Sequence, residues 1–271
     1  MLRPVYDESW PEMWKSTYHY DELELWGSRR DIGYTYQYRV RHEWSIRSIE
    51  NLVPAGGEVL DVAAAGGNFS LPLAEKGYRV TWNDLRAELT EAVKRKYEFG
   101  HVEYAPGNIF ELAKQWADRF DAVLAAEIIE HVAHPDQFLA CLGSVLKPGG
   151  RLFLTTPNGA YFLNRLPRFS DCPDPSVFES AQFGPGSEGH IFLLYCDECQ
   201  ALAGRAGLSV ERIEVTTNPL TRGHFKLGHI LPWLPESLVW GIERASRRLP
   251  VAPRDKLHCQ ILTVLRKPDQ A

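Results

Sequence analysis

Five short runs dominate the middle of the chain: EVLDVA (58–63), YRVTWND (78–84), HVEYAPGN (101–108), FDAVLAAE (120–127) and RLFLTTPN (151–158). Each is apolar or β-branched, strand-length, and bounded by charge or glycine. Between them lie stretches with helical spacing, GGNFSLPLAEKGY, RAELTEAVKRKYEF and HPDQFLACLGSVL, which end at Gly77, at Gly100 and at Lys147-Pro148-Gly149-Gly150. Strands separated by whole helices cannot pair as tight hairpins. The pattern therefore predicts an α/β fold, a parallel sheet with helices on both faces.

Upstream, residues 1–53 are rich in Trp, Tyr and charge, with apolar spacing from Tyr36 to Leu52 that predicts short helices before the turn at Pro54-Ala55-Gly56-Gly57. The aromatic residues there (Trp10, Trp14, Tyr18, Trp26 among them) fit two roles equally, a lid over a pocket or packing against the sheet edge. Downstream, 159–189 is an irregular Pro-, Gly- and Phe-rich loop, CDECQALAGRAGL a helix, SVERIEVTT a strand, and KLHCQILTVLRK (256–267) the closing strand. Residues 217–256 form an inserted helical cap with a basic amphipathic segment, PESLVWGIERASRRL. For that cap three roles stand open: cover over a substrate pocket, a homodimer contact, or contact of 230–250 with an anionic membrane surface.

Function classes are narrowed by charge and cysteine usage. A net charge of −5 gives no whole-molecule attraction for nucleic acid. No apolar run approaches the roughly 18–20 residues needed to span a bilayer, and the acidic, aromatic N-terminus is no signal peptide. Five scattered cysteines suit a reduced, cytoplasmic protein. Cys196-Asp-Glu-Cys199 has no second Cys/His pair to complete a zinc site, so its cysteines read as incidental.

Chemistry concentrates in two places. The first is the turn Asp61-Val62-Ala63-Ala64-Ala65-Gly66-Gly67-Asn68, where a strand passes through small residues into a helix, followed by Asp84 at the end of the second strand. Small residues let a nucleotide-like ligand approach the backbone, and a carboxylate at that place can accept both hydroxyls of a ribose. The G-x-G-x-x-G fingerprint is absent, which counts against NAD. The second is EIIEHV, which sets Glu127, Glu130 and His131 at the end of the fourth strand, at i, i+3 and i+4 if a helical turn begins there.

VLDVAAAGGNFSLPLAEKGYRVTWNDL, FDAVLAAEIIEHVAHP, LKPGGRLFLTTPN and HIFLLYCDECQALAGRAGLSV occur in the order and spacing of class I S-adenosylmethionine-dependent methyltransferases. The resemblance covers roughly residues 56–216 and the last strand, and is nearest to the ubiquinone-biosynthesis O-methyltransferase type. It implies a Rossmann-like seven-stranded sheet with the last strand antiparallel, with a core over 54–216 and a closing strand over 257–271. It also implies that 61–67 (Asp61, Ala63, Ala65, Gly67) hold the methionine part of the cofactor, that Asp84 binds the ribose with Leu85 beside the adenine, and that Asn108 and Ile109 flank the adenine edge. Ala126 would meet the cofactor through its backbone, and Arg41, with Arg39 and Arg47 as alternatives, would hold its carboxylate. The chain departs from the family at two usual glycines. Ala63 reads as an easy replacement; Ala65 is unfavourable if its position needs positive φ.

The EIIEH, TTPN and GHIF segments are similar in ligand pattern to the metal-dependent small-RNA 3′-end 2′-O-methyltransferases, which implies a metal set of Glu127, Glu130, His131 and His190. Oxygen ligation favours Mg or Mn, and imidazole admits Fe or Zn. Two other readings stand beside it: His131 or His190 as a metal-free general base near Glu127, or a structural role alone. His224 and His229, beside the cap, are read as surface histidines or as groups within reach of the acceptor. The expected activity is methyl transfer to a hydroxyl oxygen of a small molecule. Its alternatives are a metal-independent N- or C-methyltransferase and a non-catalytic cofactor-binding protein.

Overall fold

The structure is a computed structural model that describes residues 1–28, 30–182 and 189–269. Two helices come first, α1 (Glu12–Glu24) and α2 (Ile32–Leu52). Next come β1 (Glu58–Val62), α3 (Ser70–Glu75), β2 (Arg79–Asn83), α4 (Leu89–Lys96), β3 (His101–Tyr104), α5 (Ile109–Leu112), β4 (Phe120–Ala126), α6 (Pro135–Val145) and β5 (Leu146–Pro157). The chain ends with α7 (Cys196–Arg205), β6 (Ser209–Thr216), α8 (Pro219–Arg222), α9 (Glu236–Ser246), α10 (Val251–Leu257) and β7 (Gln260–Arg266).

The seven strands lie in the order β3-β2-β1-β4-β5-β7-β6. β1 pairs in parallel with both β2 and β4, and β5 with β4; β7 runs antiparallel to β5 and β6. The parallel sheet, the antiparallel last strand and the helices on both faces all follow the expectation from sequence. The order reverses at β1 and β4, so their carboxyl ends open into the crevice where such sheets take ligands.

Strand periodicity builds the two cores. Along β4, Val123 and Ala125 join Leu60 of β1 and Leu139 and Leu142 of α6 in one buried cluster. Ala122 and Leu124 join Val59, Phe153 and Val264 with Ile46 and Ile49 of α2 in the other. Adjacent residues thus face opposite layers, as the pleat requires. The central strands are fully buried, which is why they read as continuous apolar runs.

Three details depart from the sequence reading. Lys147-Pro148-Gly149-Gly150 does not end the helix before the strand but lies inside β5 as a bulge: Phe120 faces Leu146 and Ala122 faces Arg151, with Gly149 at φ 76°. A short helix, α5, caps itself through Asn108, whose Oδ1 accepts from Phe110 N–H at 3.0 Å. α10 was hidden by its prolines and charges. Residues 183–188, part of the 159–189 loop, lie outside the described residues, as do 270–271 of the closing segment.

Candidate functional site

A cleft of about 710 Å³ lies over the carboxyl ends of β1 and β4. Its floor is the β1 turn with Ala126, and α1 and α2 supply one wall through Asp21, Glu24, Tyr38 and Arg41. The turn is tightly built. Ala63 has φ 54°, Ala65 φ 44° and Gly67 φ 72°. Ala63 is therefore not the easy replacement that the sequence suggested: both alanines sit in the left-handed region, where a Cβ crowds the backbone at a cost of about 1–3 kcal/mol each. Gly67 is required on a second ground, since a Cβ there would lie 2.7 Å from Val93 Cγ1.

The strain is held by hydrogen bonds. Ala65 N–H donates to Asp84 Oδ2 at 2.9 Å, and the Trp82 indole donates to Ala65 O at 3.1 Å. Asp84 is 2% exposed, and its carboxylate also accepts from Arg86 N–H, Nε and Nη2 at 3.0, 2.8 and 2.9 Å. Asp61 accepts from Ser70 Oγ at 2.6 Å; burial, with the charge of Asp84 adding to it, pushes its carboxyl up to about 7. Next to Asp84, a small apolar slot brings together Leu85, Asn108, Ile109, Gly107 and Phe138, the place expected for an adenine edge.

A buried polar network ties α1 to this turn. Lys96 Nζ donates to Asp21 Oδ2 at 2.8 Å and to Asn68 Oδ1 at 2.7 Å, while Asn68 Nδ2 donates to Asp21 Oδ1 and Glu24 Oε2, both at 2.8 Å. Lys96 and Asp21 are each 2% exposed. Sequence reasoning missed Asp21, Glu24 and Lys96. Lys96 sits in KRK of a charged helix and reads as solvated surface, and only the folded contacts show otherwise.

Among the upstream arginines, Arg41 is the one in the cleft: it is buried, and its Nη1 lies 3.1 Å from Glu127 Oε2. Burial opposes its charge, and Glu127, Tyr34 and Glu24 more than restore it. Arg39 instead pairs with Glu236 and Arg47 with Glu43.

Past β4, Glu127 takes φ 53° and Ile129–His131 forms one 3-10 turn, so the three residues of the EIIEH motif do not share one helical face. Glu127 is turned toward Arg41 and accepts from Thr155 Oγ1 at 2.9 Å. Glu130, His131 and His190 converge: one ligand atom of each lies within 4.8 Å of the others. His190 is brought there by Ile191 N–H, which donates to Glu130 O at 2.8 Å. Glu130 is fully buried; Oε2 accepts from Thr156 Oγ1 at 3.0 Å, and Oε1 has no hydrogen-bond partner. Burial, then the charge of Glu127, raises its carboxyl well above the usual range. His131 Nδ1 lies 3.2 Å from Gly189 O. A carbonyl only accepts, so Nδ1 carries the proton and Nε2 is left as acceptor or ligand. Burial, then the neighbouring His131, lowers the pKa of His190.

Asn158 and His224, among the remaining motif residues, have structural partners. Asn158 Nδ2 donates to Asp255 O and His258 O, each at 2.7 Å, and so fastens β5 to the cap. His224 pairs with Tyr161 OH at 2.5 Å, His229 lies in a 3-10 turn, and all five cysteines are free. Among the described residues no helix is long and apolar enough to cross a membrane.

With the geometry in place, comparison with known proteins defines the class. Residues 36–213 match the methyltransferase domain family. The solved structure of a SAM-dependent methyltransferase from Archaeoglobus fulgidus superposes with a TM-score of 0.57 at 14% identity, over 92% of this chain and 99% of that one. This likeness is one of fold. The chain belongs to the methyltransferase domain family, and its fold is that of S-adenosylmethionine-dependent methyltransferases. Similar curated relatives carry the name ubiquinone biosynthesis O-methyltransferase. The one from Xanthomonas axonopodis pv. citri is 42% identical over 118 residues, 43% of this chain and 47% of the relative. The one from Pseudomonas syringae pv. tomato is 34% identical over 188 residues, 64% of this chain and 73% of the relative. The chain spans about half the length of the first of these.

Proposed function

We propose that this protein transfers the methyl group of S-adenosylmethionine to a hydroxyl oxygen of a small molecule, with Glu130, His131 and His190 handling the acceptor. The observation that carries this reading is the convergence of those three side chains beside the cofactor cleft. In the transfer, the acceptor oxygen attacks the sulfonium methyl carbon, the carbon–sulfur bond breaks, S-adenosylhomocysteine leaves, and the hydroxyl proton passes to an imidazole of the trio and on to solvent. The turn 61–67, Asp84, Leu85, Asn108, Ile109 and the backbone of Ala126 hold the cofactor, with Arg41 reaching its carboxylate. Helices 1–53 act as a lid over the core of 54–216, and the 217–256 cap covers the acceptor.

The trio fits a divalent cation. Glu130 keeps an oxygen without a partner in a fully buried position, a costly arrangement that a cation would offset, and two imidazoles stand beside it. Such an ion would acidify the acceptor hydroxyl and favour a pair of adjacent hydroxyls. Glu127 stays with Arg41 and Thr155, where it supports the site from behind. A second reading rests on the bond between His131 and Gly189, which leaves Nε2 in the form a general base needs.

Turnover of a catechol panel by the purified protein, with and without chelator, tests the proposal. Loss of activity in chelator and recovery with Mg, Mn, Fe or Zn supports the cation. Full activity in chelator moves the task to His131. No methylation of any hydroxyl acceptor, while S-adenosylhomocysteine still binds, would sink the O-transfer reading.

A further inference from the structure

The carboxylate given above to the ribose hydroxyls, Asp84, has its acceptor capacity filled from within the chain. An ionised carboxylate offers two oxygens with about four lone-pair sites. Oδ1 accepts from Arg86 N–H at 3.0 Å and from Arg86 Nε at 2.8 Å. Oδ2 accepts from Ala65 N–H and from Arg86 Nη2, both at 2.9 Å. Asp84 is buried, whereas the Arg86 side chain is 49% exposed and lines the cofactor cleft. A ribose entering from the cleft meets the guanidinium before it meets the acid.

The donors divide into two kinds. The backbone N–H groups of Ala65 and Arg86 take one site on each oxygen, and they belong to the cofactor turn and to the turn after β2. They aim the carboxylate without help from a side chain. Nε and Nη2 of Arg86 take the second site on each oxygen as a bidentate fork. Two ribose hydroxyls on one carboxylate need those same second sites. Fork and ribose therefore exclude each other. A half-exposed arginine–carboxylate pair contributes little to stability by itself. Its effect here is on what else Asp84 can bind. The side chain can rotate out at the cleft mouth while the Arg86 N–H keeps its bond to Oδ1.

We propose that Arg86 competes with the cofactor for Asp84. The guanidinium leaves the carboxylate when the ribose binds and returns when the product departs, so Arg86 lowers the affinity for S-adenosylmethionine and for S-adenosylhomocysteine alike. The inference rests on the proposed role of Asp84 as ribose acceptor.

The test is a calorimetric titration with S-adenosylhomocysteine of the wild type, Arg86→Met, Asp84→Ala and the double variant Asp84→Ala/Arg86→Met. Methionine keeps the length of the side chain and removes its donors. Arg86→Met is expected to bind about three- to tenfold more tightly than wild type, the size of a bidentate pair discounted for its exposure. In the Asp84→Ala background the same change is expected to alter affinity by less than about twofold, because the competition needs the carboxylate. A gain of affinity cannot come from misfolding. Binding by Arg86→Met that equals or falls below wild type overturns the proposal, and if Asp84→Ala still weakens binding the cofactor reading survives. A gain that persists without Asp84 also overturns it, since the arginine then acts elsewhere. Wild-type affinity in Asp84→Ala, or no binding by any of the four proteins, sinks the ribose role of Asp84 and the competition together.

Discussion

The loops after β1 and β4 leave adjacent strands side by side, and both contain residues with side chains in the left-handed region: Ala63 and Ala65 in one, Glu127 in the other. They are finished in different ways. Around the β1 loop each carboxylate is matched by donors, Asp61 of β1 by Ser70 and Asp84, which follows β2, by Ala65 and Arg86. In the β4 loop Glu130 keeps an oxygen without a hydrogen-bond partner, and two imidazoles stand beside its carboxyl. A saturated loop is preorganised and holds a ligand by shape and dipole. An unsaturated one stores binding capacity for a charged group, and its cost is met by the buried strands beneath.

The largest effect should come from the unsaturated loop. Glu130→Gln keeps the shape and removes the carboxyl that can ionise against a cation; the turnover rate should fall about 100-fold or more while S-adenosylhomocysteine affinity stays within about twofold. A variant as fast as wild type would erase the contrast between the loops. Next is Asp84→Ala, which removes the acceptor proposed for the ribose hydroxyls and the brace for Ala65. Calorimetry should show S-adenosylhomocysteine binding weakened about 100-fold; unchanged affinity would mean that the ribose is held elsewhere.

Asp61 gives a pH signature to the saturated loop. Its folded pKa of about 7 lies above its ordinary value of 3.8, because of burial first. The folded state therefore holds the proton more tightly, and the group's contribution to stability is full at low pH and lost as pH rises through the window between those values. Melting temperatures of Asp61→Asn and wild type should diverge across that window in favour of the variant, then run parallel; a constant offset would refute the titration. Smallest is Ala65→Gly, which relieves the left-handed strain and should add about 1 kcal/mol of stability. A destabilised glycine variant would show that the methyl packs to advantage.

The sequence by itself determined the sheet, its parallel core and the cofactor loop, because strand burial, helical period and glycine stops are local signals. It named Asp84, Glu130 and His131, since charge at the end of an apolar strand is conspicuous in one dimension, whereas Arg41 and His190 came with the resemblance to known methyltransferases. The tertiary structure decided what depends on partners distant in the chain. It set Ala63 in a strained conformation, turned Glu127 to Arg41 and so out of the His131 cluster, and buried Lys96 against Asp21, 75 residues away. It also closed α2 and α9 into a cleft whose walls lie some two hundred residues apart, between Trp44 and Trp240. Local pattern sets which element a residue joins. Which polar groups are left paired or orphaned is settled only when those elements pack, because burial is a property of the assembled fold.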